Sequence, residues 1–585
     1  MNRLYYPTWL LSLILALSAC TAILPQSTPA PPRPEDAPVP PMAYFATAEP
    51  TLRPSPTPPV TPTPIPLDGP VTVAVSPGVA ARYAAPVRAI LDQATEIQAL
   101  NGPQPMRVVD DPVQANTVIT MGPPREARYP LLTRTFAPVV PFATVIDAVT
   151  LDEINARWTG GGSGALIITP EAAAFLPAVL GDRAVAVPVV SPGEMLRRLE
   201  ETPGSLGLLP FDQLDPTFKV LTVDGRNVLD NRLDLNAYPL ATALHVEGEA
   251  APLVVQYLRP IVSSLSPVID NRDPYQMTTL IMTGVTAMSR ATAAVMEREG
   301  YIYPALVISD TLAAADITHV SNEVPFLDDC VVNNTLNNLR LCSHTDYWAA
   351  LEAIGTDIVG LSGNHVNDFG YDGAQRSISW YREHEIPIYG SGLDVTEACT
   401  PLRWEHNGNT FAFVAVLAFG PSTAWATDDL PGACYYYDHT EEILALVEEL
   451  AGEADIVAVE LQYLETYNPW PTDQQVLEFR ELRAAGADIV TGVQSHVPQA
   501  SEPYGAQDKG GPGMINYGLG NLFFDQMWSW ETRTELFMRH TIYRGRLINT
   551  EILTAVLEDY AQPRWATQEE RSALLETLFN AAPTR

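Results

Sequence analysis

Short apolar runs alternate with amphipathic stretches along the chain from Val71 onward. VTVAVSP, starting at Val71, is a mostly apolar, β-branched run of strand length closed by Ser and Pro. AAPVRAILDQATEIQAL and SPGEMLRRLEE place their apolar residues at helical spacing, so each predicts a helix. This alternation continues over 71–272 and predicts an α/β domain.

A second domain is predicted over 278–560, beginning at TTLIMTGVTAMSR. AALEAIGTDIVGLSGNHVNDFG reads as a helix, a Gly stop, a strand and a polar loop. TFAFVAVLAF reads as a buried strand, and EEILALVEELAGEADIVAVELQY as a helix followed by a strand. QQVLEFRELRAAGADIVTGVQSHV repeats that unit. Each polar motif falls where a buried strand ends, which is where open α/β sheets place their sites. Residues 561–585 are expected to form a C-terminal helical tail.

The segment before Val71 differs in kind. Residues 21–70 are dense in Pro, Thr, Ser and Ala, as in TLRPSPTPPVTPTPIPLDGP, and predict a disordered, semi-rigid tether. Residues 1–20 read as a signal peptide: Arg3, a short apolar run from Trp9 to Leu17, then small residues. Leu17-Ser18-Ala19-Cys20 resembles a bacterial lipobox, which implies lipidation at Cys20 and an extracytoplasmic protein anchored to the membrane by lipid. The alternative is an ordinary signal peptide with a chance Cys. An exported chain meets oxidising conditions, so the four remaining cysteines are disulfide candidates. Proximity favours Cys330 with Cys342 and Cys399 with Cys434; other pairings and buried free thiols stay open.

At 585 residues the chain exceeds one core, and its 46% hydrophobic content suffices for well-buried domains. A formal net charge of −35 argues against nucleic acid as a partner and against an electrostatic grip on an anionic membrane surface.

PFATVIDAVTLDEINARWTGGG, GALIITPEAAAFLPAVLG and PGSLGLLPFDQLDPTFKVLTVDG resemble a periplasmic-binding-protein-like α/β domain. Its Gly160-Gly161-Gly162-Ser163 turn is either an anion-facing nest or a plain loop. In the second domain TGVTAMSR, ADITHVSNEVPF, LSGNHVNDFG, VELQYLETY, GADIVTGVQSHVPQ and INYGLGNLFFDQ follow one another in the order of the CapA family. That resemblance, to the poly-γ-glutamate capsule synthesis proteins with a calcineurin-like metallophosphoesterase fold, implies a four-layer α/β/β/α sandwich. It also implies a role in the synthesis, export or anchoring of an anionic envelope polymer, with that polymer or its synthesis machinery as partner.

The parent fold holds two metals with a first-strand Asp, a bridging acid, an Asn and later histidines. Here Val285 stands where the Asp is usual. By the resemblance, Glu323, Asn364 and His496 remain as metal ligands, with Gln462 and Gln494 as neutral substitutes for histidines. His365 is the general acid and Asp368 either orients its imidazole or caps the next helix. Arg290, Asn322 and Asn521 are the substrate-binding candidates. Amide oxygens suit Ca²⁺ or Mg²⁺ better than Mn, Fe or Zn. The cofactor expectation is a divalent metal (Mn, Mg, Ca or Zn), as a standard pair, as one ion in an altered site, or absent.

Other residues carry plainer readings. His319 is expected to pack or bond backbone, Glu460 and Glu465 either to supply carboxylates beside Gln462 or to form a solvated pair, and Asp310 and Asp316 to cap a helix or lie on the surface. Tyr463, Tyr467, Trp470, Trp528 and Trp530 either line a polymer groove or belong to the core. Two functions stay open: a metal-dependent hydrolase acting on a phosphoester or the polymer, and a non-catalytic module that binds envelope polymer or solute.

Overall fold

A computed structural model describes residues 65–124, 129–265, 268–335, 338–505 and 511–583. The signal peptide, Cys20 and nearly all of the Pro-rich tether lie outside the described residues. Among the described residues no helix is long and apolar enough to cross a membrane.

The first third of the described chain forms a nine-stranded mixed sheet. Its order is Glu96–Ala99, Gly102–Val108, Val71–Val75, Thr117–Gly122, Ala241–Gly248, Tyr129–Pro141, Leu206–Pro210 and Leu166–Ile168, with Phe218–Val220 paired to the end of Tyr129–Pro141. Tyr129–Pro141 runs through both halves of the sheet. Its first residues pair with Ala241–Gly248 and its last with Leu206–Pro210, both antiparallel. The stretch 84–100, predicted as one helix, divides: the helix Ala81–Leu91 ends there and Glu96–Ala99 becomes an edge strand. Ile97 and Ala99 are buried while Glu96 and Gln98 are exposed, the period of two that a one-sided strand needs.

The remainder builds two packed sheets. The eight-stranded one runs Ile388–Tyr389, Ile358–Gly360, Ile317–Asn322, Met277–Thr286, Thr534–Tyr543, Arg546–Glu558 and Gln562–Trp565, with Asn521–Leu522 paired to Met277–Thr286. The six-stranded one runs Leu402–His406, Asn409–Leu417, Ile456–Gln462, Ile489–Val493, Gly513–Asn516 and Ser501–Tyr504. Leu280, Met282, Phe411, Phe413, Ile456 and Met538 share the core between the sheets. A second core pairs Val457 and Val459 with Ile443, Val447, Phe479 and Leu482 of the helices Thr440–Leu450 and Asp473–Ala485. A third pairs Ile281, Val320 and Val359 with Met296, Leu351 and Tyr381 on the helices over the opposite face. Three stacked cores give four layers, α/β/β/α.

The C-terminal segment is not a helical tail throughout. Gln562–Trp565 is a strand that pairs antiparallel with Arg546–Glu558 and extends the sheet. Only Gln568–Asn580 is helical, and Leu575 and Leu578 of that helix lie in the intersheet core. The turn at 559–560, with positive φ at Asp559 and Tyr560, sends the chain back along the strand rather than into a helix.

The nine-stranded sheet is bonded to the sandwich at several points. Asn549 Nδ2 donates to the Phe218 carbonyl at 2.9 Å, and Asn227 Nδ2 to Glu551 at 3.1 Å. Arg546 donates to the Asp212 carbonyl at 2.8 Å. Both sheet systems accordingly belong to one compact unit.

Candidate functional site

Met277–Thr286, Ile317–Asn322 and Ile358–Gly360 run parallel in one sheet, and Ile456–Gln462 and Ile489–Val493 run parallel in the other. Their carboxyl ends deliver Glu323, Asn364, Gln462 and Gln494 to one place. Gln462 Nε2 donates to Glu323 Oε2 at 3.0 Å and to Asn364 Oδ1 at 3.2 Å, and it also bonds Gln494 Oε1. Glu323, Gln462 and Gln494 are buried.

Backbone detail permits this convergence. Gly363 lies so close to the acidic loop that a Cβ there would sit 2.2 Å from Glu323 Cα, so the Gly-Asn-His loop needs glycine. Gln494 and His496 both adopt left-handed φ, +83° and +55°, and Arg290, Tyr467 and Phe523 on the neighbouring loops do the same. Such conformations cost roughly 1–3 kcal/mol each and tend to cluster where a site imposes them.

His496 is held between two rings, Tyr467 at 5.6 Å and Phe524 at 5.3 Å. Asn521 Nδ2 donates to the carbonyls of His496 and Thr532, which fixes the amide so that its Oδ1 accepts from His496 Nδ1 at 2.8 Å. The neutral imidazole therefore keeps its lone pair on Nε2. Asn521 thus positions His496. Asn322, by contrast, is turned inward: its Nδ2 donates to the Val324 carbonyl and the Tyr381 hydroxyl, and the structure does not bring its side chain to the cluster.

His365 Nδ1 meets Asp368 Oδ2 at 2.7 Å, so Asp368 orients the imidazole rather than capping the following helix, whose N-cap is Phe369. The same Asp368 oxygen accepts from Leu341 N at 2.7 Å. Leu341 adjoins Cys342, which is bonded to Cys330; Cys399 is bonded to Cys434. Burial pulls the His365 imidazole down, but the bond to Asp368 and the charges of Glu323 and Asp368 outweigh it, and its pKa stands raised. Arg290 is bound by Asp525 through Nε at 3.2 Å and Nη2 at 2.5 Å.

Glu460 is not part of a solvated pair. It is fully buried beneath the cluster, where Oε1 accepts from Ser321 Oγ at 3.0 Å and Ser362 Oγ at 3.2 Å. Burial pushes its carboxyl up to about 7, against the lowering effect of the two hydroxyls. His319 lies 3.4 Å from Glu460 and bonds the Tyr389 hydroxyl at 2.7 Å, and burial pushes it down to about 3. An acid between Val459 and Leu461 in an otherwise apolar strand was the sequence signal for this layer. Glu465 is exposed and bonded by the Tyr467 hydroxyl. Asp316 is no helix cap: it accepts from Thr279 N at 2.8 Å and tethers the ends of two strands. Tyr463 belongs to the core, whereas Tyr467, Trp470, Trp528 and Trp530 are exposed.

Two borderline metals do not fit this donor set. Val285 is buried at the first-strand position, and among the described residues no three His, Cys, Asp or Glu side chains group to hold a metal. A single hard cation fits better. Glu323 Oε1 and Gln462 Oε1 are buried without a hydrogen-bond partner. Turning the Gln462 amide over would aim a fourth oxygen at those of Glu323, Asn364 and Gln494, an arrangement stable only around a positive charge.

The two packed sheets thus form a four-layer α/β/β/α sandwich with its polar loops gathered at the strand ends. Residues 279–526 match the family model described as "Bacterial capsule synthesis protein PGA_cap", and this part of the chain is similar to the CapA proteins. The capsule biosynthesis protein CapA of Bacillus anthracis is 25% identical over 289 residues, covering 49% of this chain and 69% of that protein. The PGA biosynthesis protein CapA of Bacillus subtilis is 24% identical over 269 residues, 45% and 67%. Among solved structures, the 5'-nucleotidase precursor from Thermus thermophilus aligns at 11% identity and TM-score 0.31, over 51% of this chain and 58% of that one.

Proposed function

We propose that this chain is an extracytoplasmic accessory protein of envelope-polymer synthesis, export or anchoring, held to the membrane through lipidated Cys20. In this reading its CapA-type site takes one hard cation, Mg²⁺ or Ca²⁺, in place of a transition-metal pair. The family match and the names of the Bacillus relatives support the polymer role. The observation that carries the altered site is the Gln462 amide nitrogen set among the oxygens of Glu323, Asn364 and Gln494.

Glu323, Asn364, Gln462 and Gln494 would hold the ion. When bound, such an ion supplies Lewis-acid polarisation of a phosphoryl or carbonyl oxygen. His365, oriented through Nδ1 by Asp368, presents Nε2 as a proton donor to a leaving group. His496, with its lone pair on Nε2, accepts a hydrogen bond from a substrate hydroxyl or water.

A second reading, recognition without chemistry, is favoured by the same amide: its nitrogen hydrogen-bonds one oxygen each of Glu323, Asn364 and Gln494 with no ion at all. Calorimetric titration of the purified chain with Ca²⁺, Mg²⁺ and Mn²⁺, beside a phosphodiesterase assay, separates the two. Saturable Ca²⁺ or Mg²⁺ binding that is lost in Glu323→Gln supports the first. Absence of both binding and activity leaves recognition alone. Membrane fractionation of Cys20→Ser tests the anchor: release into the soluble fraction supports it, and unchanged retention refutes it.

A further inference from the structure

Where the nine-stranded sheet meets the sandwich there is a cavity of about 280 Å³. Its walls are largely apolar, with Phe142, Ile552, Trp565, Leu575 and Phe579 among them. Phe142 and Phe579 meet edge to face at 5.8 Å. Protein interiors are close-packed, so a space of this size between well-ordered elements is a candidate ligand site, and domain junctions are a preferred place for one.

One side of the cavity is charged. Lys219 Nζ lies 2.6 Å from Asp147 Oδ1, and Arg571 grips the same carboxylate through Nε and Nη2, both at 2.8 Å. This holds Asp147 down to about 2, the two cations outweighing its burial. The other acid at the cavity, Glu551, is already taken up by Arg539 at 2.8 and 2.9 Å and by Asn227. Two cations therefore face one carboxylate, and one positive charge is left over in a mostly apolar enclosure. Lys219 spends its other N–H groups on the Thr144 and Val145 carbonyls. Arg571 spends one Nη1 N–H on the Ile552 carbonyl, which leaves N–H groups on both Nη1 and Nη2 for a further acceptor.

We propose that this cavity binds a small organic monocarboxylate with an apolar body, its carboxylate on the outer guanidinium face of Arg571 and its body against Phe142, Trp565, Leu575 and Phe579. A monoanion balances the cluster, and a dianion or a neutral molecule does not. The planar, two-pronged guanidinium matches a carboxylate better than an isolated hydroxyl or amide. The site lies on the seam between the two sheet systems and is independent of the reading given for the Glu323–Gln462 cluster.

The test is calorimetric titration of the purified full chain with phenylacetate, and with phenylacetamide as its neutral counterpart. Phenylacetate is expected to bind saturably and the amide at least about tenfold more weakly, the scale of losing one charge-assisted pair. Ala566→Leu, which fills the cavity and leaves the ion cluster intact, is expected to abolish binding with an undiminished melting temperature. Arg571→Met is expected to weaken binding by about tenfold or more. No binding of phenylacetate, equal binding of acid and amide, or undiminished binding in Ala566→Leu would each overturn the proposal.

Discussion

The amide nitrogen of Gln462 lies 3.0 Å from the carboxylate of Glu323 and 3.2 Å from the amide oxygen of Asn364. An N–H donor stands in for part of the positive charge that the oxygens of Glu323, Asn364 and Gln494 require. Gln462→Leu removes that donor without adding volume elsewhere. It is expected to lower the unfolding free energy by about 2 kcal/mol, the cost of leaving buried acceptors unpaired. Added Ca²⁺ or Mg²⁺ should recover part of the loss. Urea denaturation with and without the ions checks both parts.

Val285 is buried near the carboxyl end of Met277–Thr286, paired with Ser321 and Asn521 on the neighbouring strands. Restoring a carboxylate there with Val285→Asp introduces a buried charge with no partner. The expected cost is about 3 kcal/mol or more in metal-free buffer. If Mn²⁺ restores the melting temperature only when Gln462→His and Gln494→His are also present, the lost ligand positions have been correctly assigned. Thermal denaturation of the single and triple variants with Mn²⁺ gives the answer.

Asp368 links two parts of the molecule, accepting from both His365 and Leu341. Asp368→Ala is expected to cost about 1–3 kcal/mol through the unpaired donors. It should also speed backbone amide exchange at Leu341 while leaving the intersheet core protected. Hydrogen exchange read by mass spectrometry tests the locality of the effect.

His540 gives the fold a pH dependence with a definite sign. Its Nδ1 meets Thr550 Oγ1 at 2.9 Å, Nε2 is buried without a partner, and burial pushes its pKa down to about 3. In the unfolded chain it titrates near its ordinary value of about 6.5. Between those values the unfolded state binds a proton that the folded state does not, so stability falls as pH falls through this window. The contribution is about 1 kcal/mol per pH unit. His540→Gln should show a correspondingly shallower loss between about pH 6 and pH 4 in denaturant titrations.

Much of the sandwich was legible because its strands are buried on both faces and read as predominantly apolar runs, as in TFAFVAVLAF. The cluster was legible because Glu323, Asn364, Gln462 and Gln494 each fall where a strand ends. The places that did not read through depend on contacts between distant segments. Glu460 looked solvent-facing beside Glu465, since nothing local shows that Ser321 and Ser362 lie over it. Asn322 looked like a pocket residue because it precedes Glu323, yet side chains alternate along a strand and its own points into the core. Helical propensity in ATEIQAL concealed an edge strand whose partner, Gly102–Val108, follows a tight turn. The C-terminal strand Gln562–Trp565 was hidden in the same way, its pairing being tertiary.

The most direct test of the account is the stoichiometry of bound metal. The purified chain, equilibrated with Ca²⁺, Mg²⁺, Mn²⁺ and Zn²⁺ and then analysed for metal, is expected to retain at most one Ca²⁺ or Mg²⁺ per chain, with that ion lost in Glu323→Gln. Retention of two Mn²⁺ or Zn²⁺ ions, lost in His496→Ala, would contradict the central claim that the Gln462 amide has replaced the two-metal centre.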